Sequence, residues 1–191
     1  VDVPALQYAS RMSAKVDSAA VQDGYQIYHH VFVFTADGRW AVVQQGMNQA
    51  TGWARRYHWR GDKLESFIQE PHSAVCGEPE ERVLNLVASE SAEARDTTLY
   101  LAQRPVEVIK DLKRIKELAG RGRLELNLPA AHPVPGAGRI EKTLNRLYDL
   151  KPSSYEQVLA VEGVGPATVR AFALVSEVVY NVRTSRRDPV R

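Results

Sequence analysis

Between Lys15 and His72 the chain crowds together side chains that could hold a metal, move a proton or meet a phosphate. Among them are Lys15, Asp17, Asp23, His29, His30, Gln44, Gln45, Arg55, Arg56, His58, Glu70 and His72. Phosphodiester hydrolysis calls for carboxylates that hold divalent cations, a base for the attacking water and a cation for the leaving oxygen. Asp17, Asp23 and Glu70 are the expected ligands of Mg²⁺ or Mn²⁺, Lys15 the cation, and His29 or His30 the base. Each also has an ordinary reading. Asp23 before Gly24 suits a turn, Lys15 and Asp17 suit the wet side of a helix, and His29 alternates with Ile27, Val31 and Val33 as a core histidine would. Arg55-Arg56 is either a solvated run or, beside Tyr57 and Trp59, a phosphate or base-stacking surface.

A second pattern is more specific. Leu159-Ala160-Val161-Glu162-Gly163-Val164-Gly165-Pro166-Ala167-Thr168-Val169-Arg170 reads as helix, tight glycine hairpin, helix. Glycines at 163 and 165 reach backbone angles closed to other residues, and Pro166 suits a first helical turn. The amides from Gly163 to Ala167 can then face outward at the positive end of a helix, where they hold a phosphate without reading a base. Val164 is expected to pin the hairpin to the core, Thr168 to brace it and Arg170 to add a charge contact. Arg183, Arg186, Arg187 and Arg191 follow, and would add salt-dependent affinity that positions DNA without reading sequence.

The elements that must carry these residues are legible in outline. Leu6, Met12, Val16 and Ala20 recur near helical spacing from Pro4 to Ala20. Tyr25 to Thr35 and Trp40 to Gln45 read as a β-hairpin around Ala36-Asp37-Gly38-Arg39, with both faces of the first strand partly covered. The run 53–59 offers a third strand, 61–70 a short helix stopped by Pro71, and 83–88 another strand. Helices are expected over 105–118, 140–150, 153–161 with Ser154 as its cap, and 166–180. The proline- and glycine-rich run between Leu128 and Gly138 is the natural linker. The expected architecture is α+β: an N-terminal α/β domain (1–100) with a central antiparallel hairpin sheet, a helical connector and linker (101–135), and a C-terminal all-α helix-hairpin-helix domain (136–191).

Composition bounds what this can be. At 191 residues, 44% hydrophobic and 25% charged, the chain excludes collagen-like, disordered and disulfide-scaffold classes. A lone Cys76 makes neither an internal disulfide nor a cysteine-based zinc cluster, which points to a reducing cytoplasm. No run approaches the roughly 20 apolar residues of a membrane span. Net charge is +2 but uneven: residues 1–100 carry 9 Lys/Arg against 13 Asp/Glu, and residues 101–191 carry 16 against 10, so the second half is the one to meet a polyanion. A sequence that opens on Val1 and closes on Arg186-Arg187-Asp188-Pro189-Val190-Arg191 reads as a piece of something longer.

The glycine hairpin resembles the helix-hairpin-helix motif of DNA polymerases, nucleases, ligases and glycosylases. The whole chain is similar to a prokaryotic family of unassigned function, number 763 among the domains of unknown function. That similarity runs through Ala9-Ser10-Arg11-Met12, Ala20-Val21-Gln22-Asp23-Gly24-Tyr25, Tyr28-His29-His30, Arg55-Arg56-Tyr57-His58-Trp59, Glu70-Pro71-His72 and Arg187-Asp188-Pro189-Val190-Arg191. It implies kinship of fold and a nucleic-acid setting; the expected location is the cytoplasm, at the nucleoid. Three activities remain open: a metal-dependent nuclease, which completes no known nuclease signature here; a glycosylase using Asp188, although Ala167 stands where the lyase-type members carry a lysine; and a non-enzymatic DNA-binding module whose first half meets a protein partner or another nucleic-acid segment, with a protein partner or an oligomer left open.

Overall fold

The computed structural model describes residues 1–124 and 135–190. Most of the expected linker therefore lies outside the described residues, as does Arg191. Helix α1 (Val3–Lys15) starts where the Asp2 carboxylate caps the Ala5 amide at 3.0 Å with proline in the first turn. It buries Leu6, Ala9 and Met12. The helix then widens into a π-helical turn, Val16–Ala20, of a kind often found where a helix carries a functional side chain. Asp17 sits in that turn, fully buried, and so is not on a wet face.

Strand β1 (Val21–Gln22) pairs antiparallel with β6 (Leu84–Asn85), and Ser185 from the chain's end bridges to Asn85. The expected strand over 83–88 is thus two residues of pairing. The main sheet is an antiparallel meander of β2 (Gln26–Phe34), β3 (Trp40–Met47), β4 (Ala54–Arg60) and β5 (Ala74–Cys76). Gly38, at φ +88, closes the β2–β3 turn, a conformation that favours glycine. A bulge between Ile27 and His29 moves Ile27 to the face of Gly46 while His29 lies opposite Gln45. The alternation of Ile27 with His29, Val31 and Val33 is therefore broken. Edge strand β2 is largely exposed, with Val31 at 39% and Val33 at 55%, so its outer face is not covered as the residue types suggested. The other face turns Val42, Gln44, Tyr57 and Trp59 inward toward α1. Only Gly61–Lys63 of the helix expected over 61–70 is helical, as a 3₁₀ turn.

Five further α-helices follow among the described residues: α2 (Ala92–Ala102), α3 (Pro105–Gly120), α4 (Ala137–Leu150), α5 (Tyr155–Ala160) and α6 (Pro166–Val179). Ile140, Leu144 and Leu147 form the buried stripe of α4, and the Ser154 side chain caps α5 at the Gln157 amide. Residues 168–176 of α6 are all buried, as a helix apolar on every side must be. A single hydrophobic cluster runs from Met12 and Val16 through Leu84, Leu112 and Leu144 to Phe172 and Val182. The segments 1–100 and 136–191 thus share one core. No helix among the described residues is long and apolar enough to cross a membrane.

Candidate functional site

The turn from α5 into α6 spans Val161–Gly165, with Gly163 at φ +91 and Val164 fully buried. A β-carbon at Gly163 would meet the Thr143 hydroxyl at 2.9 Å, so both the backbone angle and the space demand glycine. Gly165 is extended (φ −143) with open space where a β-carbon would stand, so conformation alone does not require glycine there.

The two polar edges of this hairpin are treated unequally. On the carbonyl edge, Val164 accepts a bond from the Lys15 ammonium, Gly163 one from the Thr143 hydroxyl at 3.3 Å, and Glu162 one from Arg146 at 3.0 Å. Arg146 also pairs with the Glu162 carboxylate at 2.8 Å, which offsets the hairpin's own negative charge. On the amide edge, the N–H groups of Gly163, Gly165 and Ala167 make no hydrogen bond among the described residues. Gly163 is exposed, and Gly165 and Ala167 are half-buried. Thr168 is buried in the first turn of α6. Partial burial pulls the Lys15 ammonium below its ordinary pKa, with Glu162 opposing.

Of the arginines expected beside the hairpin, Arg183 is exposed. Arg170, Arg186 and Arg187 are committed elsewhere. Arg170 is buried and donates to Gln22 at 2.6 Å; burial lowers its pKa. Arg186 pairs with Glu177 at 2.9 Å, and Arg187 bonds Glu70 and Glu90. The residues that sequence reasoning missed are on α4. Arg139, Lys142, Thr143 and Arg146 fall at helical intervals on the face adjoining the Ile140, Leu144 and Leu147 stripe, and that spacing was a readable signal.

The three expected metal ligands are not brought together. Asp17 Oδ2 accepts from Trp59 Nε1 at 2.9 Å and from the Gln44 amide, and its Oδ1 meets His72 Nε2 at 2.5 Å. Gln44 also donates to the Ser13 carbonyl and accepts from His30 Nδ1 at 2.9 Å, and His30 Nε2 meets the Ser10 hydroxyl. His30 is therefore one link away from Asp17, whereas His29 lies on the opposite face of the sheet.

Asp23 belongs to a different centre. It binds Arg55 at 2.7 Å, the Tyr57 hydroxyl at 2.7 Å and the Tyr25 amide at 3.1 Å. Arg55 continues to Asp188 at 2.9 Å and stacks its guanidinium over the Tyr25 ring. With zero side-chain exposure Arg55 cannot meet a phosphate; Arg56, its exposed neighbour on the outer sheet face, can. Burial pushes the Asp23 carboxyl up, with Arg55 and the Tyr57 bond pulling against it, and the two carboxylates raise Arg55. Asp188, held by Arg55 and the Glu80 amide, fastens the C-terminal segment to β4.

Glu70, at φ 45, reaches the Ser89 amide and Arg187. Among the described residues no three His, Cys, Asp or Glu side chains gather as a metal set. No curated protein and no solved structure matches the chain. The family described as "Protein of unknown function (DUF763)" matches residues 1–191, the whole chain, and the protein belongs to that family.

Proposed function

We propose that the protein grips DNA by its phosphate backbone, without reading base sequence, through the hairpin between α5 and α6. One observation carries this reading: the hairpin's carbonyls are occupied by Lys15, Thr143 and Arg146, while the amides of Gly163, Gly165 and Ala167 are unpaired at the start of a 14-residue helix. An edge of unpaired amides at a positive helix end attracts an anion, and a buried apolar residue below it keeps that edge rigid. Val164 is that residue. Arg139 and Lys142, both exposed, supply further positive charge, and Arg146 and Lys15 hold the loop that presents the amides. Such a grip serves a DNA-processing or repair protein at the nucleoid.

The test is a change of sign at one position. Gly165→Asp adds a carboxylate to the amide edge without a clash, and Gly165→Asn adds the same shape without charge. Titration of labelled duplex and single-stranded DNA, followed by anisotropy at several salt concentrations, should show salt-dependent binding. Gly165→Asp should weaken it by at least about tenfold and Gly165→Asn by less than about threefold. Equal affinity for the two variants and the wild type would sink the reading.

A further inference from the structure

Resting on the phosphate-binding reading only for the choice of substrate, we propose that the cleft beside Asp17 hydrolyses phosphodiesters with His72 as general base. The cleft, about 560 Å³, is lined by His58, Arg60, Lys63, Glu70, His72 and Cys76. His72 is only 7% exposed, and Trp59 holds its ring edge-on at 4.8 Å.

The partners of Asp17 fix the place of the His72 ring. The Trp59 indole nitrogen and the Gln44 amide nitrogen can only donate, and both donate to Asp17 Oδ2. Oδ2 therefore holds two donors, and Oδ1 lies 2.5 Å from His72 Nε2. In the proposed general base the ring proton sits on Nε2, toward Asp17, and the lone pair on Nδ1. Nδ1 makes no hydrogen bond among the described residues, in a ring that lines the cleft. Asp17 is a positioning residue, fixing tautomer and orientation as a buried carboxylate does behind a catalytic imidazole. The second contact of Gln44, with Ser13, locks the carboxylate's support to α1.

The rim fits an anionic ester. Lys63 and Arg60 bring positive charge, although Arg60 shares its guanidinium with Asp62 at 2.6 Å, and His58 adds a second imidazole. In the step, water's oxygen forms a bond to phosphorus as its proton passes to Nδ1, and the bond from phosphorus to the ester oxygen breaks. The leaving oxygen takes a proton from solvent and His72 later returns its own, so a diester and water give a monoester and an alcohol.

The experiment uses bis(p-nitrophenyl) phosphate, too small to need the hairpin, alongside labelled DNA, each in Mg²⁺, in Mn²⁺ and in chelator. Wild-type protein should release nitrophenolate. His72→Ala should lower kcat at least about a hundredfold with KM little changed, and added imidazole should restore part of the rate. Circular dichroism and thermal unfolding establish that the variant is folded. Asp17→Glu should retain more activity than Asp17→Ala. DNA bound but neither substrate cleaved would overturn this site and leave the hairpin reading standing; diester cleaved without DNA binding would do the reverse. Activity in His72→Ala equal to wild type, or loss of rate with no rescue by imidazole, would remove the general-base role.

Discussion

Asp17 and Asp23 are six positions apart, both within 2% of full burial, and both answered by β4, yet they make opposite kinds of centre. Asp23 is met by a guanidinium: Arg55 fills it at 2.7 Å and continues to Asp188, so positive and negative charge close on each other inside the protein. Asp17 is met by neutral donors, Gln44 and Trp59, and by an imidazole that lines a cleft. Burying a charge demands compensation either way. A fixed cation compensates it permanently and makes a latch. An imidazole compensates it while remaining able to take up and release a proton, so the same burial becomes a possible source of chemistry.

The largest expected effect tests the latch. Arg55→Ala leaves Asp23 and Asp188 without their cation and should cost about 3–5 kcal/mol in urea unfolding, whatever it does to activity. A loss below about 1 kcal/mol would mean that the two centres do not differ in this way. The replacement Asp17→Asn keeps the shape but presents an amide to the Gln44 and Trp59 donors and to His72. It should cost about 1–3 kcal/mol by the same measurement, and should depress diester turnover more than its stability loss accounts for. If turnover stays at the wild-type level in a folded Asp17→Asn protein, Asp17 is as structural as Asp23.

The smallest effect concerns the second fastening of the C-terminal segment. Bonding to Arg187 holds the exposed Glu90 carboxyl down to about 2. A depressed carboxyl contributes stability that is full above the ordinary glutamate range and is lost as pH falls through that lower value. Protection of the Asn85 amide, which donates to the Ser185 carbonyl at 3.0 Å, measured against its intrinsic exchange rate at each pH, should therefore fall only on strong acidification. In Glu90→Gln exchange should be slightly faster already at neutral pH. Equal exchange in the two proteins would leave Asp188 as the fastening that matters.

Much of this fold was legible because its signals are local. Pro166 after the glycine pair, Ser154 before α5 and the Ile140-Leu144-Leu147 stripe act within a few residues, and the helices stand where those signals put them. The β2–β3 hairpin was legible from Asp37-Gly38 for the same reason. The bulge at Tyr28 was not, since one extra residue leaves no mark in composition while reversing which face Ile27 occupies. The polar crowd from Lys15 to His72 was legible as a crowd, but its division was invisible. His72 finds Asp17 across 55 residues, Arg55 finds Asp188 across 133, and Lys15 finds the Val164 carbonyl across 149.

By itself, then, the sequence determined where helices and turns begin and end, which stretches are apolar, and that a glycine hairpin opens α6, because backbone angles and side-chain periodicity are properties of neighbours along the chain. Only the tertiary structure decided which carboxylate received an arginine and which a histidine, which arginines were spent on Glu177, Glu70 and Glu90, and which edge of the hairpin was left unpaired. Those outcomes depend on what packing brings within about 3 Å, the reach of a hydrogen bond, and that distance is set by the shared core rather than by spacing in the chain.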